Sequence, residues 1–156
     1  MPETPVVRFG VPAALVMLLA QSSTSPALGQ EGRDSILVAV GAYVRASAPN
    51  DTIRVSRSRF CNVSAAICDD PPAQLAGDEL RALMSGASAD TVAPKVLMPS
   101  SPGVLHILLG KVRVDRDSAT VGVWKGNYVE ITVHQLRLLR RSGVWRVVAD
   151  RVVGGT

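Results

Sequence analysis

Apolar residues at Ile36, Leu37, Val40, Tyr43 and Val44 recur at the 3.6-residue spacing of a helix with one buried face. Asp34 or Ser35 stands where a side-chain oxygen can cap its start. The helix should end near Ser47, because Ala48-Pro49-Asn50-Asp51 is turn chemistry and the residue before a proline is pushed out of helical geometry. A short strand is expected over Thr52 to Val55, running on toward Phe60. A second helix, about Ala73 to Ser85, would bury Leu75, Leu80, Leu83 and Met84 and stop at Gly86. The Pro-, Gly- and Ser-rich residues 86–103 read as irregular, with one short strand at Lys95 to Met98 between prolines.

The C-terminal third carries a strand pattern. Val104 to Val114, Ala119 to Lys125, Tyr128 to Arg141 and Val144 to Val153 are β-rich runs parted by Asp115-Arg116-Asp117-Ser118, Gly126-Asn127 and Ser142-Gly143, which predicts an antiparallel meander. The first run is apolar in both phases, with Leu105, Ile107 and Leu109 against Val104, His106 and Leu108, as in a central strand. In the third, Ile131 and Val133 share one phase and Leu136 and Leu138 the other. We therefore expect the apolar face to switch at a bulge or bend around His134-Gln135. The resulting fold class is α+β: a curved antiparallel meander packed against one or two N-terminal helices.

The N-terminus has a different pattern. Arg8 precedes an apolar run from Phe9 to Ala20, a polar stretch Gln21 to Ser25 follows, and Ala27-Leu28-Gly29 offers the small residues of a cleavage site. Residues 1–29 thus read as a secretory signal peptide, with cleavage before Gln30 and a single domain over residues 30–156. The apolar run is too short to span a bilayer, so no stable membrane insertion is expected after cleavage. An uncleaved anchor is the alternative. The expected location is the periplasm or the extracellular space.

The chain has 156 residues, 47% of them hydrophobic and 19% charged, which suits one packed domain and excludes a disordered chain. Cys61 and Cys68 are the only cysteines, and an even count in an exported chain favours a disulfide between them. On the chain-entropy account so small a loop contributes roughly 2.5 kcal/mol. No metal site is expected, because neither His106 nor His134 lies near the cysteines in sequence. No phosphate loop, dinucleotide fingerprint or HExxH motif occurs, so no cofactor is expected. Asn62-Val63-Ser64 matches a glycosylation sequon, meaningful only in a eukaryotic secretory route.

A leading helix, a short strand, a further helix and a long meander resemble the nuclear transport factor two-like superfamily of cystatin-like α+β cones. The resemblance is carried by Val112-Arg113-Val114-Asp115-Arg116-Asp117-Ser118-Ala119-Thr120-Val121, by Leu136-Arg137-Leu138-Leu139 and by Gly143-Val144-Trp145-Arg146-Val147-Val148. These look like the superfamily's last strands, where an acidic turn opens one strand and Gly-x-Trp the final one. The chain departs from that pattern in carrying a Cys loop where a second helix would follow the first. A cystatin-like helix on a sheet fits the same residues. The resemblance implies either a cavity enzyme of isomerase, dehydratase or hydrolase type or a member without chemistry, and it carries over no site residue.

Among single residues, His106 stands in an apolar strand, where a neutral imidazole facing a cavity could act as general acid or base. A core or edge histidine is the ordinary reading. Tyr43, on the buried helix face, could donate its phenol to a ligand carbonyl. His134 lies at the expected bend with Glu130 before it, and Asp69 and Asp70 form a carboxylate pair before two prolines. Trp124 and Trp145 are packing residues first and ligand-stacking candidates second. Two basic clusters, Arg54-Arg57-Arg59 and Arg137-Arg140-Arg141, could meet an anionic surface, but a net charge of +4 without a stacking aromatic set excludes a nucleic-acid binder. The leading expectation is an exported, non-enzymatic binding or interaction domain taking a small apolar ligand or a protein partner, with a homodimer through the outer sheet face. The alternative is a cavity enzyme with His106 as base and Tyr43 as donor.

Overall fold

The computed structural model describes residues 29–60, 74–89, 91–93, 101–127 and 129–155. The leader, Cys61 with Cys68, Asp69, Asp70, the sequon and the expected strand at Lys95 to Met98 lie outside these residues. The elements run α1 (Gln30–Ser47), β1 (Thr52–Ser56), α2 (Gly77–Ala87), β2 (Thr91–Ala93), β3 (Val104–Asp115), β4 (Ser118–Gly126), β5 (Ile131–Arg141) and β6 (Val144–Gly155). The fold is α+β, as the periodicities predict.

α1 starts four residues before its expected cap. Gly29 takes the N-cap position, its carbonyl accepting from the Gly32 backbone N–H, and Ser35 Oγ donates back to the Glu31 carbonyl inside the helix rather than capping it. Ile36, Leu37, Val40 and Val44 are buried to 1% exposure or less, which is the predicted stripe. α2, by contrast, begins later than expected, because Glu79 reaches back to accept from the Ala76 backbone N–H at 3.0 Å and fixes the first turn there. Gly86 does not stop α2. That helix ends at Ser88, in the left-handed region at φ 46°, while Gly86 and Gly41 face each other across the helix pair. A Cβ on Gly41 would lie 2.5 Å from the Leu83 carbonyl oxygen, and one on Gly86 would strike the Val38 backbone. These two glycines let the helix backbones touch.

The strands form one open six-stranded sheet in the order β2-β1-β3-β4-β5-β6. β3 to β6 are the expected antiparallel meander, and β1 adds in parallel between β3 and β2. The first half of β3 is buried on both sides, as its doubled apolar phase requires. Both helices cover one face of the sheet, where the core joins Ile36, Val40 and Leu83 to Ile53, Ile107, Val121, Leu136 and Leu138. α1 crosses this face from the β5–β6 turn, near Arg140 and Gly143, to the β4–β5 connection, near Lys125 and Thr132.

An irregularity does fall beside His134, where the β5–β6 register shifts between Val133 and His134, but β5 itself carries no extra residue. β4 and β5 pair without interruption from Ser118↔Leu139 to Gly126↔Ile131, so β5 keeps one phase and its apolar face does not switch. His134 shares the covered face with Leu136 and Leu138. That row changes from apolar to polar along the strand. The bulges lie in β6 instead: Val148 is the extra residue between Ala149↔Arg137 and Val147↔Leu138, and Val153 the extra residue between Gly154↔Val133 and Val152↔His134. In β3, Gly110 and Lys111 together oppose Gly122. There the Phe60 ring lies against Gly110 and Gly122, where a Cβ would sit 2.8 Å from its tip.

Candidate functional site

The covered face carries two kinds of side chain. Toward the β5–β6 turn its cross-strand pairs are Ala119↔Leu138 and Val121↔Leu136, all nearly sealed; toward the β4–β5 connection they are Val123↔His134 and Lys125↔Thr132. Asp150 joins the second group through the Val148 bulge. Trp145 and Val147 pack inward, and strict alternation from them would turn Asp150 outward, but one extra residue shifts the phase and brings its carboxylate under α1.

That carboxylate is the hub of a polar network. Tyr43 Oη donates to Asp150 Oδ2 at 2.8 Å, His134 Nδ1 lies 2.6 Å from Oδ1, and Lys125 Nζ stands 3.7 Å from Oδ2 and 5.5 Å above the centre of the Tyr43 ring. The other ring nitrogen of His134, Nε2, is 2.9 Å from Thr132 Oγ1. Side-chain exposure is 11% for Lys125, 13% for His134 and 20% for Asp150, so these groups act on one another through little solvent. Burial pushes the Asp150 carboxyl up, but the hydrogen bonds from His134 and Tyr43 and the nearby Lys125 charge outweigh it, and the pKa falls below the ordinary carboxylate value. Burial, then the bond to Asp150, raises the Tyr43 phenol and keeps it protonated. Burial lowers Lys125 more than Asp150 raises it.

The charge on Asp150 fixes the histidine tautomer. An ionised carboxylate only accepts, so in the neutral imidazole the proton sits on Nδ1 and the Nε2 lone pair faces Thr132, whose hydroxyl donates to it. Beside Thr132 opens a recess of about 200 Å³ between the last turn of α1 and the β4–β5 connection, lined by Ser47, Asp51, Leu105, Lys125, Asn127, Glu130 and Thr132 among others. Asn127 Oδ1 accepts from the Val129 and Glu130 backbone N–H groups and holds this rim in shape. The arrangement can present an ammonium, a hydroxyl and carboxylates to a small molecule. It can also pass a proton between Thr132 and His134. Among the described residues no group of His, Cys, Asp and Glu could hold a metal ion.

Of the residues expected to carry chemistry, Tyr43 and His134 meet at Asp150, whereas His106 stands apart. Leu105, Ile107 and Leu109 point into the core, so His106 and Leu108 take the opposite face, level with Arg54 and Gly126. His106 therefore does not converge with Tyr43 on one pocket. It is 6% exposed, neither ring nitrogen has a hydrogen-bond partner among the described residues, and burial followed by the Arg54 charge lowers its pKa. Trp124 packs its ring on Gly126 on that same face, and Trp145, 4% exposed, is a core residue bordering a second recess by the first turn of α1. Arg59 is structural: it pairs with Glu79 at 2.7 Å and donates to the Gly110 carbonyl at 2.8 Å. Arg54, Arg57, Arg137, Arg140 and Arg141 are exposed.

Lys125, Thr132 and Asp150 escape a reading of the sequence. Two of them left a signal: Lys125 follows Ala119, Val121 and Val123 in the covered phase of β4, and Thr132 shares the phase of Leu136. Asp150 left none, because the bulge that turns it inward lies in an unmarked Val147-Val148-Ala149 run.

No protein-family model, curated protein or solved structure matches the chain. Among the described residues no helix is long and apolar enough to cross a membrane.

Proposed function

We propose that the chain is a small exported binding domain whose site is the recess at the C-terminal end of α1. The observation that supports this reading is the Tyr43–Asp150–Lys125 and His134–Thr132 network, which holds polar side chains in fixed orientation beside a cavity open to solvent. Pre-set polar groups lower the ordering cost of binding. Their chemistry favours a small polar ligand over the small apolar ligand or protein partner expected from the sequence. Lys125 suits a carbonyl or other electron-rich oxygen, while Asp51 and Glu130 on the rim suit a cationic or hydroxylated end and repel a dianion.

Glycinamide is a cationic carbonyl compound small enough for the recess. Titrated into the folded chain and followed by amide NMR, it should perturb Lys125, Asn127 and Thr132 with saturation, and Lys125→Met should remove the effect. Perturbation that is absent, or confined to other regions, overturns the reading. The likeness to nuclear transport factor two-like proteins agrees with a site between helix and sheet, but it does not choose the ligand.

A further inference from the structure

Thr132, His134 and Asp150 repeat the relations of an activated hydroxyl nucleophile: a hydroxyl 2.9 Å from one imidazole nitrogen and a carboxylate 2.6 Å from the other. Three further features separate this group from an ordinary surface hydrogen-bond chain. Thr132 lines a recess of about 200 Å³. The Lys125 ammonium lines the same recess and is the direct cross-strand neighbour of Thr132, where it can meet negative charge developing on a carbonyl oxygen. The carboxylate is itself held from behind by Tyr43 Oη at 2.8 Å, which orients it toward His134. We propose that Thr132 is an acyl-accepting nucleophile, with His134 as its general base, Asp150 and Tyr43 as positioning residues and small neutral or cationic carboxylic esters as substrates. The proposal rests on the recess being a binding site. Asp51 and Glu130 at its rim disfavour phosphate esters, which bring two negative charges.

In the forward step, Thr132 Oγ1 bonds to the ester carbonyl carbon as His134 Nε2 takes the hydroxyl proton, and the carbonyl π pair moves onto oxygen beside Lys125. The intermediate then re-forms the carbonyl, the bond to the alkoxy oxygen breaks, and that oxygen leaves as an alcohol with the proton from His134. Acyl-Thr132 remains. Water, giving its proton to His134 in the same way, releases the carboxylic acid and restores the hydroxyl.

The test is incubation of the folded full chain with p-nitrophenyl acetate, reading nitrophenolate release and mapping the acetyl group by peptide mass spectrometry. The expected result is an acetyl ester on Thr132, kept in Thr132→Ser, lost in Thr132→Val and formed about 100-fold or more slowly in His134→Gln. Arg137→Ala, at an exposed position on the sheet face opposite α1, should behave as the parent chain. Circular dichroism melts confirm that each variant is folded before its rate is read. Acetylation confined to Lys125, His134 or other amines, or a rate unchanged in Thr132→Val, overturns the proposal. Saturable glycinamide binding without a Thr132 adduct discards the nucleophile and keeps the binding site; absence of both discards the two together.

Discussion

One face of one sheet is built in two ways. Under the N-terminal half of α1, β4 and β5 present Ala119, Val121, Leu136 and Leu138, close-packed with Trp145; under its C-terminal half they present Lys125, Thr132 and His134, joined by Asp150. The backbone geometry is continuous across the change, since β4 and β5 pair without a slip. The difference is chemical. The apolar half stabilises by removing hydrocarbon from water, at roughly 25 cal/mol per Å². The polar half must satisfy each buried group by another, and a network of that kind contributes little net stability for the order that it imposes. An apolar core and a polar network thus lie side by side on the same strands, with the Val148 bulge supplying the one group, Asp150, that the regular pleat would have turned away.

The two halves should respond differently to substitution. Leu136→Ala, at 0% exposure in the apolar half, is expected to cost about 3 kcal/mol in chemical denaturation, and a loss below about 1 kcal/mol would remove the contrast. Asp150→Asn should cost less, about 2 kcal/mol, because it leaves the Lys125 ammonium without its counter-charge. Its pH dependence gives a second reading. The native pKa of Asp150 lies below the unfolded value, so its contribution is present above about pH 4 and is lost as pH falls through the lower native value. Asp150→Asn should flatten the acid limb of the stability curve by that share.

His106 supplies a control outside both halves. With two ring nitrogens buried and unpartnered, His106→Leu should raise stability by about 1 kcal/mol. Its native pKa is lowered, so the unfolded chain takes up the proton first and stability falls as pH drops below about 6.5; the leucine variant should lose that slope. The smallest effect belongs to Thr132→Val. Conservative in shape and at the edge of the recess, it should change stability by less than about 0.5 kcal/mol while abolishing the acyl adduct, and a loss of several kcal/mol would make Thr132 a structural residue.

Hydrophobic period alone yields both helices, β1 and the four-strand meander, because each buries one stripe or row that the sequence displays in phase. The parallel attachment of β1 is not legible, since parallel and antiparallel edges use the same side chains. Nor is the role of Gly86, whose close approach to Val38 depends on where α1 lies. The site was half visible. Tyr43 and His134 stand out by residue type, yet the polar turn of the β5 row reads equally as a flipped face, and only the pairing with β4 decides between them. His106 attracts attention for its apolar strand, yet among the described residues its ring nitrogens find no hydrogen-bond partner.

Asp150 sets His134 so that its Nε2 lone pair faces Thr132. Long-range proton–nitrogen NMR of the imidazole, in the neutral form, tests it directly. The expected result is a protonated Nδ1 and an unprotonated, hydrogen-bonded Nε2 in the parent chain, with Nε2 losing its hydrogen bond in Thr132→Val and the tautomer preference weakening in Asp150→Asn. A His134 protonated at Nε2 in the parent chain would contradict it.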